Sequence, residues 1–214
     1  FNSELINTYQ QVKKNPKKLI NLLRDFKQDK ESYYLIRKTA FKSDIRRAAK
    51  FIYLNKTSFN GIYRVNASGE YNVPYGKRGY NAGVIEELIL SCSQQLQNTE
   101  LHSSDFYQSL QKVKKKDLVY LDPPYTITHN NNGFIKYNEK LFSIIDQIRL
   151  CEAIKKIRDK GAFYILSNAH HPRVKEIYDR FGDKALTLNR ASVISATNPG
   201  RGVYKEYLFT NIKL

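Results

Sequence analysis

The run Leu118-Val-Tyr-Leu-Asp-Pro-Pro-Tyr125 joins four apolar residues to a carboxylate, two prolines and an aromatic ring. Leu118 to Leu121 is short, β-prone and uncharged, which predicts a buried parallel strand. Neither Pro123 nor Pro124 has an N–H to continue a ladder, so the strand is expected to stop at Asp122. In open α/β sheets the carboxyl ends of strands face the ligand crevice, which puts Asp122 and Tyr125 where chemistry is done. The chemistry these residue types suit is work on an amine. An exocyclic amine on a nucleobase is a poor nucleophile, because its lone pair is delocalised into the ring. The Asp122 carboxylate and the Pro123 carbonyl form an acceptor pair able to hold both amine hydrogens, favour a pyramidal nitrogen and free its lone pair to attack a methyl cation donor. Tyr125 offers a flat face for a base rotated out of a duplex. The prolines fix φ near about −65°, so the acceptors are placed before substrate arrives.

Several elements must position this loop. Residues 3–13 and 17–28 have helical periodicity, with Leu5, Ile6, Tyr9 and Val12 on one face of the first and Leu19, Ile20, Leu22 and Leu23 in the second. Residues 31–56 continue as helices bearing Arg37, Lys38, Lys42, Arg46, Arg47 and Lys50, a dense set of phosphate candidates of which some are merely solvated. From Thr57 to Tyr80 the periodicity is lost, aromatic and small polar residues alternate, and Ser68-Gly69 offers a hairpin turn. After Asn81 an α/β rhythm returns. It predicts a helix over 83–97, a short strand before Ser104-Asp105-Phe106, another helix, the 118–121 strand and a helix over 144–159. A strand over 162–168, a helix to 180 and strands over 184–189 and 203–211 complete it. Strands alternating with helices imply an α/β fold with a doubly wound, mostly parallel sheet and room for an antiparallel strand at the end.

Composition narrows the partners. The 214 residues suffice for one domain with an inserted module. The formal charge of +16 is uneven: residues 1–80 hold 17 Lys and Arg against 6 acids, and residues 81–214 hold 19 against 14. A basic first part suggests DNA phosphates, with Lys-rich codon usage as the plain alternative. Cys92 and Cys151 lie in apolar helical patterns and read as reduced core residues. No metal-ligand spacing, signal peptide or stop-transfer run is visible, so the reading is a cytoplasmic protein without structural metal or membrane span, associated with the nucleoid through DNA. His129 and the run Asn130-Asn-Asn-Gly133 read as a loop that orders on binding, and His170 and His171 as turn residues. Arg201 and Lys205 read equally as phosphate contacts or solvated surface.

Asp122-Pro-Pro-Tyr125 resembles the catalytic motif of the adenine-specific DNA methyltransferases that use S-adenosylmethionine. Upstream, Tyr53-Leu-Asn-Lys-Thr-Ser-Phe-Asn-Gly-Ile-Tyr-Arg-Val-Asn66 and Gly69-Glu-Tyr-Asn-Val-Pro-Tyr-Gly76 are similar to the DNA-reading segment of the Dam branch. The likeness runs along nearly the whole chain. It implies a Rossmann-like fold, with 1–29 and 82–214 as cofactor-binding and catalytic domain and 30–81 as an inserted helical and β-hairpin recognition module. It implies direct methyl transfer to the amine of a flipped adenine in double-stranded DNA, with GATC as the target. Asp122, Pro123, Pro124 and Tyr125 are then catalytic, and Asp105 and Phe106, with Asp122, meet the cofactor. Arg64 would read a guanine through two parallel hydrogen bonds, with Asn60 and Ile62 beside it and Lys56, Arg47 and Lys77 as further DNA contacts. Competing readings are Arg64 on a phosphate and Asp105 as a plain helix cap. A monomer is expected, with at most a transient dimer on DNA.

The family's Gly-rich cofactor loop and ribose-binding acid would stand before Phe1, so the sequence is expected to begin after them. Met is also absent, in keeping with a shortened sequence. An inactive DNA-binding relative and a cytosine-amine methyltransferase stay open as alternatives, although the latter chemistry more often has Ser in place of Asp122.

Overall fold

The computed structural model describes residues 2–66, 68–77, 79–125, 142–191 and 203–213. They form two compact units, Phe1–Ser104 and Asp105–Leu214.

The first unit is helical. Helix α1 (Ser3–Lys14) opens under Asn2, whose side chain accepts from the Leu5 N–H, and α2 (Pro16–Asp25) begins on Pro16, where a missing N–H is harmless. Helix α3 (Lys30–Lys38) is capped by Asp29, α4 (Asp44–Thr57) comes next, and α5 (Ala82–Gln95) opens under Asn81. Their apolar faces meet in one core, where Val12, Leu19, Leu23, Ile36, Leu54, Ile85 and Ile89 surround Tyr33 and Tyr53. Each large apolar side chain buried this way contributes roughly 1.5–3 kcal/mol. Residues 33–54 thus share a core with 12–23 and 85–89.

The second unit runs α6 (Phe106–Gln111), β1 (Leu118–Leu121), α7 (Ile144–Asp159), β2 (Phe163–Ala169), α8 (Pro172–Tyr178), β3 (Lys184–Ala191) and β4 (Val203–Thr210). A reciprocal Ser143–Asp146 capping box starts α7. The sheet order is β1-β2-β4-β3. β1 and β2 are parallel, with Leu118 opposite Phe163 and Leu121 opposite Leu166. Leu121, Tyr164, Leu166 and Phe209 from the sheet share a core with Leu150, Ile154 and Ile157 from α7 and Val174 and Tyr178 from α8.

The mixed α/β class is as expected, and so is a last strand running against the others: β4 lies between β2 and β3 and is antiparallel to both, so among the described strands β1, β2 and β3 share one direction. Two details differ. Strand β1 is half-covered rather than buried: Leu118 is 59% and Tyr120 64% exposed, since within this unit the core lies on the side of Val119 and Leu121. The segment 99–103 is irregular, not a strand; Thr99-Glu-Leu-His-Ser has a single apolar residue to seat on a sheet. Cys151 is buried and Cys92 half-buried, both as free thiols.

Candidate active site and nucleic-acid interface

β1 ends at Leu121, and the proline pair beyond Asp122 prevents further pairing. Asp122 is exposed, Pro123 buried, Pro124 exposed and Tyr125 half-buried. The Tyr125 hydroxyl lies 3.1 Å from Ser167 Oγ on β2. Burial raises the Tyr125 phenol above its ordinary pKa, with the Ser167 hydrogen bond opposing and Glu206 of β4 adding to the rise. Ser167 pairs with Leu208 and Ala169 with Glu206, so strand alternation puts Ser167 and Glu206 on one face of the sheet. The end of β2 is itself secured from below. Asn168 Nδ2 donates to Gln147 Oε1 at 3.1 Å, and the Tyr178 hydroxyl also bonds Gln147, a buried polar network between α7, β2 and α8. Sequence reasoning missed Ser167 and Glu206. The available signal was Ser167-Asn168, two polar residues closing an otherwise apolar strand.

Asp105 and Phe106 lie at the start of α6. Asp105 Oδ1 accepts from the Tyr107 N–H at 2.9 Å, so the cap reading holds, and also from Arg149 Nη2 at 3.1 Å. Arg149 bridges to Asp146 at 2.9 Å, and its guanidinium carbon sits 5.1 Å from the Phe106 ring centroid. Phe106 in turn meets the Phe142 ring at 5.9 Å. Arg149, unnoticed in the sequence, therefore organises the carboxylate and the ring together. His171 caps α8 through Nδ1, and His170 stacks on Tyr207 at 4.2 Å, which accounts for both as structural turn residues.

In the first unit, residues 58–75 fold back on themselves through antiparallel bridges Ser58–Tyr75 and Val65–Tyr71. The Phe59 N–H donates to the Pro74 carbonyl at 2.9 Å and the Gly76 N–H to that of Thr57 at 2.8 Å. A Cβ on Gly76 would lie 2.4 Å from the Ser58 carbonyl oxygen, so only glycine permits this approach. Tyrosines fasten the hairpin both to its surroundings and within itself. The Tyr33 hydroxyl donates to the Val73 carbonyl at 2.8 Å, Tyr71 to Ile62 at 2.6 Å and Tyr75 to Gln28 at 2.8 Å. Burial raises the pKa of Tyr33 and Tyr71, keeping these donors protonated.

The hairpin presents the expected DNA-facing residues unevenly. Asn60 is exposed at φ 52, a left-handed conformation that Asn tolerates. Ile62 is half-buried and Arg64 exposed. Arg64 Nε donates to Asn72 Oδ1 at 2.8 Å, and Nη2 approaches the Asn72 carbonyl at 3.4 Å. Lys56 and Lys77 are exposed. Arg47 lies 3.4 Å from Glu4 and 3.2 Å from Asp44, so two carboxylates already answer it. Beside the hairpin a cleft of about 680 Å³ gathers Arg37, Arg47 and Lys50. Arg37 donates to the Val73 carbonyl and Lys50 to that of Thr39, so these cations serve the unit's own fold. Lys205 is exposed; His129, the 130–133 run and Arg201 lie outside the described residues. Among the described residues no group of His, Cys, Asp and Glu could hold a metal ion, and no helix is long and apolar enough to cross a membrane.

A strand-end acceptor pair beside a strapped aromatic ring suits a transferase acting on a flat, amine-bearing group, and the basic hairpin unit suits a polyanion. The comparisons with known proteins narrow that class. Residues 1–192 match the D12 class N6 adenine-specific DNA methyltransferase family. The chain is 36% identical to the type II methyltransferase M1.LlaDCHI of Lactococcus lactis subsp. cremoris, covering 99% of this chain and 77% of the relative. It is 31% identical to the type II methyltransferase M.MjaIII of Methanocaldococcus jannaschii, covering 96% and 76%. To the DNA adenine methylase of Escherichia coli it is 29% identical, over 84% of this chain and 66% of that protein. The chain belongs to the D12 class family and is an adenine-specific DNA methyltransferase.

Proposed function

We propose that this protein transfers the methyl group of S-adenosylmethionine to the exocyclic amine of an adenine turned out of duplex DNA, within GATC. The observation that carries the reading is the Asp122–Pro123 acceptor pair at the end of β1, beside a Tyr125 ring tied to Ser167. Asp122 and the Pro123 carbonyl accept the two amine hydrogens, and Tyr125 stacks on the base. The proline pair holds this arrangement stiff, so little reorganisation is needed when the amine arrives. When bound, the sulfonium donor would supply an electrophilic methyl carbon to the amine nitrogen, and Asp122 or water would take the amine's surplus proton.

Asp105 and Phe106 suit the donor's adenine, a carboxylate for its amine and a ring for its face, with Asp122 closing the site. Arg149 sets the first two. On this reading residues 30–81 form the recognition module and 1–29 with 82–214 the cofactor-binding, Rossmann-like domain. Arg64 reads a guanine, Asn60 and Ile62 flank it, and Lys56 and Lys77 meet phosphates. Arg47 joins them only by leaving its carboxylate partners. The full protein incubated with labelled donor and duplex DNA is expected to yield N6-methyladenine on nucleoside digestion; methylcytosine in its place refutes the proposal. Methylation of a randomised duplex library, read by sequencing, tests GATC.

A further inference from the structure

A guanidinium is planar and presents its N–H groups in a fixed fork. Two of its edges can each make a pair of parallel hydrogen bonds: the side edge, Nε with one Nη, and the end edge, formed by both Nη atoms. In this hairpin Asn72 occupies the side edge of Arg64. Its Oδ1 accepts from Nε at 2.8 Å and its backbone carbonyl lies 3.4 Å from Nη2. The end edge is the one this grip leaves for a ligand. Asn72 is itself held, because its backbone N–H donates to the Arg64 carbonyl at 3.1 Å, next to the Val65–Tyr71 bridge. The Asn72 amide and carbonyl are neutral, so this grip does not cancel the positive charge of Arg64.

From this geometry we infer that Asn72 is a specificity-positioning residue: it grips the side edge of Arg64 so that the end edge is presented, pre-aligned, to the O6 and N7 acceptors of a guanine. The inference rests on the proposed base-reading role of Arg64. An exposed arginine loses rotamer freedom when it binds, and a side chain already fixed loses less. The partner inferred is a guanine in the major groove, which offers that edge two acceptors in one plane; a phosphate can also accept both bonds but carries no base preference, which the test below reads.

The test is the ratio of kcat/KM for a duplex with the guanine to that for a duplex with another base at that position. A ratio taken within one preparation is unaffected by the fraction of protein that is folded. The parent is expected to favour guanine by about tenfold or more, as one bidentate contact allows, and Arg64→Ala to abolish the preference. Asn72→Leu, similar in size but without the acceptor, is expected to reduce the preference at least about fivefold, while Asn72→Asp, which retains an acceptor, stays within about threefold of the parent. A parental ratio in Asn72→Leu, with the preference lost in Arg64→Ala, overturns the role of Asn72 alone. A parental ratio in Arg64→Ala overturns the base-reading role on which it rests, and the inference with it.

Discussion

The hairpin of residues 57–76 and the strand-end loop of residues 122–125 are both irregular and both carry candidate chemistry, yet they are secured in opposite ways. The hairpin is fastened largely from outside. Tyr33 reaches it across 40 residues of sequence, and Tyr75 reaches out to Gln28 across 47. The strand-end loop is fastened mainly from within: β1 delivers Asp122, the two prolines stiffen the turn beyond it, and Tyr125, meeting Ser167 of β2 and Glu206 of β4, adds a tertiary strap. The difference separates two kinds of vulnerability. The shape of the hairpin depends on packing around it, whereas that of the strand-end loop depends chiefly on its own residues.

Four experiments test that contrast, from the largest expected effect to the smallest. Asp122→Ala removes an acceptor from the stiff loop and is expected to lower methyl transfer by at least about 10²-fold, as loss of a preorganised polar contact does elsewhere. Affinity for DNA, measured by gel shift, should stay within a few-fold of the parent; an equal fall in both measurements would contradict the assigned role. Gly76→Ala attacks the hairpin's fastening, since the new Cβ would meet Ser58 backbone at 2.4 Å. A shift costing about 1–3 kcal/mol is expected, weakening cognate DNA binding by about tenfold. Binding of the donor, followed by calorimetry without DNA, should be unchanged, and a parental DNA affinity would show that the close approach is dispensable.

Ser167→Ala cuts one contact of the tertiary strap of the strand-end loop. One hydrogen bond of about 1 kcal/mol corresponds to a fall in rate of about fivefold. Because both changes remove the same contact, Ser167→Ala should add little on a Tyr125→Phe background, and full additivity in the double-mutant cycle would argue that this contact does nothing. The smallest effect at working pH comes from the tyrosines. Burial pushes Tyr80 up to about 12 and raises Tyr33 and Tyr71 as well. A raised folded pKa means that the stabilisation is complete below about pH 10, the unfolded value, and is lost as pH climbs through the folded values. Melting temperatures should therefore hold to about pH 10 and fall steeply by about pH 12, with tyrosinate absorbance rising in step. Ionisation of these tyrosines near pH 10 without unfolding would show that the hydroxyls are not the fasteners.

Much of the local structure was legible in the residues. The helix over residues 3–14 and the stop after Leu121 depend on neighbours within a turn or two, and both fall close to their expected places; the face expected on Leu5, Ile6, Tyr9 and Val12 does not, because Leu5 and Tyr9 are exposed while Asn7, Thr8 and Val12 are buried. The exposure of Leu118 and Tyr120 and the place of β4 between β2 and β3 were not legible. They depend on which strand lies beside which, and periodicity carries no information on that.

By itself, the order of residues determined the family, the strand end at Asp122-Pro123 and the aromatic hairpin within a basic first part, because these arise from side-chain chemistry, proline stereochemistry and linear spacing. Only the tertiary structure decided that Asn72 holds Arg64, that Ser167 meets Tyr125 and that Arg149 joins Asp105 to Phe106. Asn72 and Arg64 meet across a fold-back, while Ser167 and Arg149 lie 42 and 44 residues from their partners. Such contacts exist only once the chain has closed on itself, and the geometry of that closure is set by core packing and strand pairing rather than by the residues it brings together.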